Sequence, residues 1–421
     1  MSTKSRGIAN ALAFLILMVP LAAAFAAENA EQSTNVSGND DLATFVRQIV
    51  DANPTVNAAR AALDASWAYE AAAGRPLYNP ELELEAEDAE AKTRTLGLSQ
   101  TFDWGGKRRA RMTVADAERR SVEAEYTSVR WQVSVDLLTA LASFQTETER
   151  SALAAERVKA MQEFAAISER RFDTGDISQI ELDLAVLAFV QARMQQATAA
   201  AGVAEAKQAV MNLVSNTPET RWPEIGSQLP LLAKSAEATQ DLVMALPQVR
   251  VAQLLSEAAQ ARVTLRERER RVDPTFTLHG GKEDDETLVG ISVTVPLAVR
   301  NSYRHEVAAA SAEYSQSKQV LSDVSRRAYT RFLGAKDRYE IAQKAWQDWS
   351  KTGDLSLQSQ GDLLRRLWEA GEISTTDYLV QLKQTLDTGE SALELRSAMW
   401  RAWFEWMTAS GQIEHWLGTS S

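Results

Sequence analysis

The chain has 421 residues, with 45 Lys and Arg against 57 Asp and Glu, and its formal net charge is -12. This acidic balance argues against nucleic acid as a partner, because proteins bind phosphate backbones through basic surfaces. The sequence contains no cysteine, which excludes disulfide bonds and anchoring through a lipid-modified cysteine.

The first 27 residues have the pattern of a secretory leader. Lys4 and Arg6 supply the positive start, an apolar stretch follows over residues 11–24, and small residues precede the expected cleavage point. A transmembrane anchor is the competing interpretation, but a spanning helix needs about 18 uninterrupted apolar residues, and no other stretch comes near that length. We therefore predict a signal peptide over residues 1–27 and an exported mature chain without a membrane helix.

The first half of the mature chain is predicted to run from helix to strands and back to long helices. Residues 41–73 have a helical pattern, and residues 81–87 and 95–102 alternate between apolar and polar side chains, as strands do. A proline-free helical stretch follows over residues 106–171. A glycine turn then reverses the chain into a second long helix, on which Ile180, Leu184, Leu187 and Met194 are expected to continue an apolar packing seam.

The second half repeats this order. Strands are expected around Phe276 and Val289, with a turn over residues 280–286, and a proline-free stretch covers residues 302–369, with an interruption expected at residues 351–354. Similar segments recur in the same order and at nearly constant spacing, which indicates two packed copies of one large half. The predicted organisation is a signal peptide (1–27), a first repeat (28–215), a connection (216–234) and a second repeat (235–421).

The strands indicate a pore. Each can be drawn at about 9–10 residues, the length that crosses a bilayer in a tilted barrel. Strand edges cannot stay unpaired in lipid, and four strands are fewer than the roughly eight of the smallest barrels, so copies of the chain must close the sheet. The pattern does not choose between two, three or four copies, and a soluble hairpin with one wet face is the alternative. In the barrel, Glu83, Glu85 and Glu87 are predicted to line the pore.

These features together resemble the TolC-like outer membrane efflux proteins. The resemblance rests on the hairpin-to-helix junction over residues 98–108 and on the two Gly-Asp/Glu-Ile-Ser turns; residues 79–85 are most similar to the CzcC-like heavy-metal efflux branch. It implies a mixed α and β fold with duplicated halves. A long α-helical periplasmic tunnel would join a transmembrane β-barrel shared between three subunits, with four strands per chain.

The resemblance also implies a function and partners. The protein would be a homotrimer in the outer membrane lipid of a Gram-negative bacterium, joined through a periplasmic adaptor to an inner membrane RND pump. It would be a passive exit duct for heavy-metal cations, not an enzyme, and would need no cofactor. A duct for drugs or secreted polypeptides, and a periplasmic helical structural or adaptor protein, remain as alternatives.

The resemblance places a periplasmic gate just after the turns. Asp377 matches the family's entrance aspartate, Glu181 is its first-half equivalent, and Arg366 and Trp368 are candidates for latching neighbouring helices. The alternative for Asp377 and Glu181 is that they are simply acids near a helix start, which the helix dipole favours. The alternative for Arg366 and Trp368 is ordinary surface packing. In the family the turns meet the adaptor, which here implies Gly175, Asp176, Ser178, Gly371, Glu372 and Ser374.

The remaining candidates are weaker. Lys107 and its basic neighbours up to Arg111 are expected to be a solvated helix start near lipid head groups. Trp400, Trp403, Phe404 and Met407 recur at helical spacing and predict a packed face. No metal-ligand spacing, catalytic arrangement or nucleotide motif is recognisable, and His279, His305 and His415 are the only histidines; His279 could line the pore.

Overall fold

The computed structural model describes residues 41–88, 92–214, 218–219, 222–226 and 240–417. The predicted signal peptide and most of the predicted connection over residues 216–234 lie outside these ranges. Within the part of the chain described, no helix combines the length and apolarity that a membrane crossing needs. The elements are α1 (41–52), α2 (Pro54–Ala73), β1 (Glu81–Asp88), β2 (Lys92–Thr101), α3 (Lys107–Asp173), α4 (Gln179–Val214), α5 (Gln240–Ala245), α6 (Pro247–Glu269), β3 (Thr275–Glu283), β4 (Glu286–Thr294), α7 (Arg304–Glu369), α8 (Thr375–Ser410) and α9 (Ile413–Trp416).

The first predicted helix is in fact two helices. Asn53 separates α1 from α2, and its side chain accepts a hydrogen bond from the backbone N–H of Thr55 at 2.9 Å. Pro54 stands in the first turn of α2, where its missing N–H has no cost. The cap and the proline together start a new helix, so the prediction of one helix over residues 41–73 was wrong.

Two long helical hairpins, α3 with α4 and α7 with α8, dominate the molecule. The 67 residues of α3 give a length of about 100 Å at 1.5 Å per residue. The predicted interruption at residues 351–354 is absent, because α7 is continuous through it. The ring of Trp349 lies against the Cα of Gly353, one turn further on, and a single helical glycine costs only about 1 kcal/mol relative to alanine.

The strands form one antiparallel sheet in the order β1-β2-β3-β4. The central pair joins the two halves, with Leu98 opposite Leu278. The turn between β3 and β4 is shorter than predicted, because pairing continues to Glu283 opposite Glu286. Gly281 permits close approach of the central strands, since an added Cβ would lie 2.1 Å from the carbonyl oxygen of Arg94.

The main core lies midway along α3 and α7, at the C-terminal ends of α4 and α8, and is rich in aromatic side chains. Trp403 and Phe404 are buried in it, as the helical spacing predicted, and Tyr339 packs against Trp403 with ring centroids 5.0 Å apart. The packing of Trp406 on Phe332 is similar, at 4.8 Å. Helix α1 covers this core with apolar side chains, among them Leu42, Val46 and Val50.

The contact between α3 and α4 does not use the predicted seam. The buried positions of α4 are alanines at seven-residue spacing, Ala185, Ala192, Ala199 and Ala206. The larger residues of the predicted seam lie on the exposed side; Ile180 is 72% exposed and Leu187 64%. The small alanine side chains let the backbones of α3 and α4 approach closely. The row of larger side chains that begins at Ile180 therefore stays exposed on the single chain.

Helix α3 begins at a junction that binds the two halves of the chain together. Lys107 was predicted to be solvated near lipid head groups, and this prediction was wrong. Its ammonium instead pairs with the buried carboxylate of Asp273 at 2.8 Å. Tyr78 donates a hydrogen bond to the same carboxylate at 2.7 Å. Burial, followed by the contact with Asp273, raises the pKa of Tyr78 to about 12, so the hydroxyl keeps its proton at neutral pH. These contacts therefore hold the start of α3 against the segment that precedes β3, at the base of the sheet.

Candidate channel sheet and tunnel tip

The sheet presents an apolar face that none of the residues described by the structure covers. Cross-strand register aligns Leu82, Leu98, Leu278 and Ile291 in one row. Leu82 is 66% exposed and Ile291 76%. A contiguous apolar surface on a sheet is an interaction surface, here of the shape and alternation that suit lipid.

The opposite face is polar and acidic. Glu83, Glu85 and Glu87 share it, as the alternation predicted, with hydroxyl side chains of β2 and with His279 of β3. Thr95 donates a hydrogen bond to Glu85 at 3.2 Å, and the imidazole of His279 lies over Gly290. The strand residues sort by charge: their glutamates all lie on this face, and their lysines and arginines, Lys92, Arg94 and Lys282, all lie on the other.

The outer edges of the sheet, β1 and β4, have no neighbouring strand among the residues that the structure describes. An edge strand presents a row of unpaired backbone N–H and C=O groups, which lipid cannot satisfy. The two open edges and the two dissimilar faces together define a section of a larger closed sheet.

The helical hairpins reverse through two equivalent turns. Gly175 and Gly371 have φ values of 78° and 76°, in the left-handed region that favours glycine. At the first turn, the N–H of Asp176 donates to the carbonyl of Arg171 at 2.8 Å, and the second turn makes the matching bond from Glu372 to Leu367 at 2.9 Å. These bonds satisfy the last carbonyls of α3 and α7 and leave the turn residues exposed at the tip.

The two predicted gate acids lie in the first turns of the helices that follow these turns, each bonded to the serine that caps its helix. The hydroxyl of Ser374 donates to Asp377 at 2.7 Å and accepts from the N–H of Asp377 at 3.0 Å. Ser178 and Glu181 form a similar pair. The backbone hydrogen bond from Ser178, and then its hydroxyl, lower the pKa of Glu181, so this carboxylate stays ionised at neutral pH. Glu181 thus holds a negative charge at the tip while it takes part in a capping pair.

Trp368 lies inside the subunit. Its ring is 1% exposed and stacks on Tyr378, with centroids 4.5 Å apart. Phe164 of the first hairpin packs against both rings, and the guanidinium of Arg171 lies 5.7 Å from the Trp368 ring. Trp368 therefore joins the two hairpins of one chain. Arg366, by contrast, is exposed at the surface.

Farther from the tip, ion pairs that the sequence did not reveal link α3 to α8. Arg157 is buried and binds Asp387 at 2.7 Å, and Arg150 binds Glu390 at 2.6 Å. Their partners lie more than two hundred positions along the chain, and only the seven-residue spacing of the arginines could have hinted that they share one face. These pairs hold the hairpins of one subunit side by side.

No group of three or more His, Asp or Glu side chains within the described ranges is arranged to hold a metal ion. The side chain of His415 lies outside what is described. An acidic face, an apolar face and two open edges, carried on helices of about 100 Å, are the features of a subunit of an outer membrane channel.

Comparison with known proteins agrees with this class. Residues 45–216 match the family model described as Outer membrane efflux protein. The cobalt-zinc-cadmium resistance protein CzcC of Cupriavidus metallidurans is 24% identical over 387 residues, which cover 87% of this chain and 91% of that protein. The nickel-cobalt-cadmium resistance protein NccC of Alcaligenes xylosoxydans xylosoxydans is 24% identical over 315 residues, 70% of each chain. The crystal structure of the outer membrane protein VceC of Vibrio cholerae aligns with a TM-score of 0.71 at 16% identity, over 88% of this chain and 96% of that one.

Residues 45–216 are therefore similar to outer membrane efflux proteins, and the fold of the chain is that of solved outer membrane channels. The predicted resemblance and the predicted fold of one chain, with long helical hairpins and a four-stranded sheet, are thereby confirmed. Closure of the sheet by further subunits stays a prediction.

Proposed function

We propose that three copies of this chain close into one twelve-stranded barrel and form the exit duct of a tripartite system for exporting divalent transition-metal cations. The observation that carries the proposal is the sorting of charge across the sheet, with glutamates on one face and open edges at β1 and β4. Closure by sister subunits would satisfy both edges. The acidic face would then surround the lumen, where it attracts cations and repels anions.

The metal cargo is supported by the relatives. CzcC and NccC are both named for resistance to divalent metals, and the first spans nearly all of this chain. Expression with a metal-exporting RND pump and its adaptor, in a strain lacking its own outer membrane component, tests this assignment. Restored tolerance to cobalt, zinc or cadmium is expected. Restored tolerance to hydrophobic drugs alone, or secretion of a polypeptide, would assign the duct to another cargo.

Neutralising the lumenal glutamates is expected to weaken cation selectivity. In planar bilayers under a KCl gradient, Glu85→Gln should move the reversal potential toward zero, and the combined Glu83→Gln, Glu85→Gln and Glu87→Gln variant should move it further. Asp88→Asn is the matched control, because Asp88 lies on the same strand but on the opposite face. Equal shifts from Glu85→Gln and Asp88→Asn would contradict the lumenal position of the glutamates.

The proposed gate lies at the exposed tip. In the trimer, three copies of Asp377 and three of Glu181 would form two acidic rings that narrow the entrance. Arg366 is exposed and would reach a neighbouring subunit. Trp368 is buried within one subunit, so it would act only by fixing one hairpin against the other. The exposed turn residues would meet the adaptor: Gly175, Asp176, Ser178, Gly371, Glu372 and Ser374. The inner membrane pump would then deliver cargo through that adaptor.

Removing the gate acids is expected to raise single-channel conductance severalfold. The combined Asp377→Ala and Glu181→Ala variant loses both charge rings, but it also weakens the caps at Ser374 and Ser178, because it removes the hydrogen bonds that the two acids accept from them. Ser374→Ala with Ser178→Ala weakens the same caps while keeping the acids, and should leave conductance near the wild-type value. An equal rise in both variants would assign the effect to fraying of the helices, and no rise in either would remove the acids from the gate.

A further inference from the structure

Two cations stand side by side on the apolar face of the sheet. Arg94 of β2 lies directly opposite Lys282 of β3, on the face that carries Leu96, Leu98 and Leu278. Both side chains are exposed, and neither makes an ion pair with any residue that the structure describes. Like charges directly opposite one another on neighbouring strands are unfavourable, unless an anion lies between them.

No acid within the described ranges forms an ion pair with either cation. The flanking members of the same cross-strand row are Ala86 and Thr287, which carry no charge. In the next row toward the turns, Asp88 lies opposite Lys92, and the carboxylate of Asp284 accepts a hydrogen bond from the backbone N–H of Lys92 at 3.0 Å. Asp88 and Asp284 are therefore placed against Lys92, whereas Glu87, Glu283 and Glu286 lie on the opposite face.

The position of Arg94 and Lys282 along the strands also places them at a defined depth in the proposed membrane. Strand β1 ends and β2 begins at the end of the sheet remote from α3, and Arg94 lies near that end, past the apolar rows of Leu96 and Leu98. In the proposed barrel this end faces outside the cell. A charged side chain on the lipid face costs little near the membrane interface and several times more at the midplane. The position thus suits head groups rather than acyl chains.

We propose that Arg94 and Lys282 form a binding site for the phosphate groups of the outer-leaflet glycolipid, one site per subunit around the rim of the barrel. The inference rests on the proposed barrel. A guanidinium offers paired donors to phosphate oxygens, and an ammonium one cross-strand step away adds a second charge-assisted bond. The close approach of β2 and β3 at Gly281 holds the two Cα atoms in register, so the spacing of the cations is fixed by the backbone.

The test uses trimers purified from outer membranes in mild detergent and titrated with diphosphorylated lipid A, with bound lipids counted by native mass spectrometry. Wild-type trimers should retain up to one lipid per subunit. The Arg94→Gln with Lys282→Gln variant should bind at least about tenfold more weakly, and Arg94→Lys with Lys282→Arg should keep most of the affinity. Arg193→Gln with Lys344→Gln, which removes two exposed cations from the helices, is the matched control and should bind normally.

Equal binding by the Gln variant and by wild type would overturn the site, as would full displacement of the lipid by millimolar inorganic phosphate. A second measurement needs no variant: wild-type trimers should bind dephosphorylated lipid A far more weakly, and equal binding of both lipids would also overturn the proposal. Conductance is recorded on the same preparations. Normal channels without phosphate-dependent binding would refute this site alone, whereas failure of the wild type to form channels would refute the proposed function.

Discussion

Replacing Ile291 with lysine is expected to abolish assembly of the channel. The side chain is 76% exposed in the single chain, so the substitution leaves the fold of the subunit unperturbed. In the closed barrel the same position would face the hydrocarbon, where a lysine costs about 2–4 kcal/mol near the midplane, once in each subunit. Heat-resistant trimers on mildly denaturing gels should disappear, while circular dichroism still reports the helical content of the subunit.

Ser292→Lys is the matched control for this experiment. Ser292 is the next residue of β4 and lies on the acidic face, in the row that contains Glu81. A lysine there would enter the lumen near carboxylates, so trimers should form normally. If Ile291→Lys assembles as well as Ser292→Lys, the assignment of the two faces is wrong.

Removing the carboxylate of Asp273 is expected to destabilise the protein by about 3–5 kcal/mol, because Asp273→Ala leaves the ammonium of Lys107 without its partner in a mostly buried place. It also leaves the hydroxyl of Tyr78 without its acceptor. The loss should appear as a lower unfolding temperature of the detergent-solubilised trimer, with the sheet released from the helices first.

Glu118→Ala is the control for Asp273→Ala, since Glu118 pairs with Arg262 between α3 and α6 at an exposed place. Exposed pairs contribute about 0–1 kcal/mol, so little change is expected. The double variant Lys107→Met with Asp273→Leu should regain much of the lost stability, because it removes both charges together. Equal, small losses from Asp273→Ala and Glu118→Ala would show that the buried pair does not hold the junction.

The sequence predicted the local features of the fold well. The alternation over residues 81–87 predicted both the strand and its acidic face, because alternate side chains of a strand point to the same face of the sheet. Glycine at positions 175 and 371 located the two reversals, since each requires a left-handed backbone that other residues resist.

The features that the sequence did not predict depend on partners far away in the chain. Lys107 lies in a basic cluster, which predicted a solvated helix start. Its partner Asp273 is distant in the sequence and is brought against it only by the fold. Trp368 was a candidate for latching neighbouring helices or for ordinary packing, and only the fold identifies its partners, Phe164 and Tyr378 of the same chain. The row beginning at Ile180 was expected to pack within the hairpin, where alanines packed instead because they allow closer approach.

The oligomeric state of the membrane-extracted protein tests the central claim most directly, because the described part of one chain forms a four-stranded sheet with two open edges. Native mass spectrometry of the wild-type protein, extracted from outer membranes in mild detergent, should give a complex of three chains that conducts ions when reconstituted. A single-chain species that stays soluble without detergent and never enters vesicles would contradict the account.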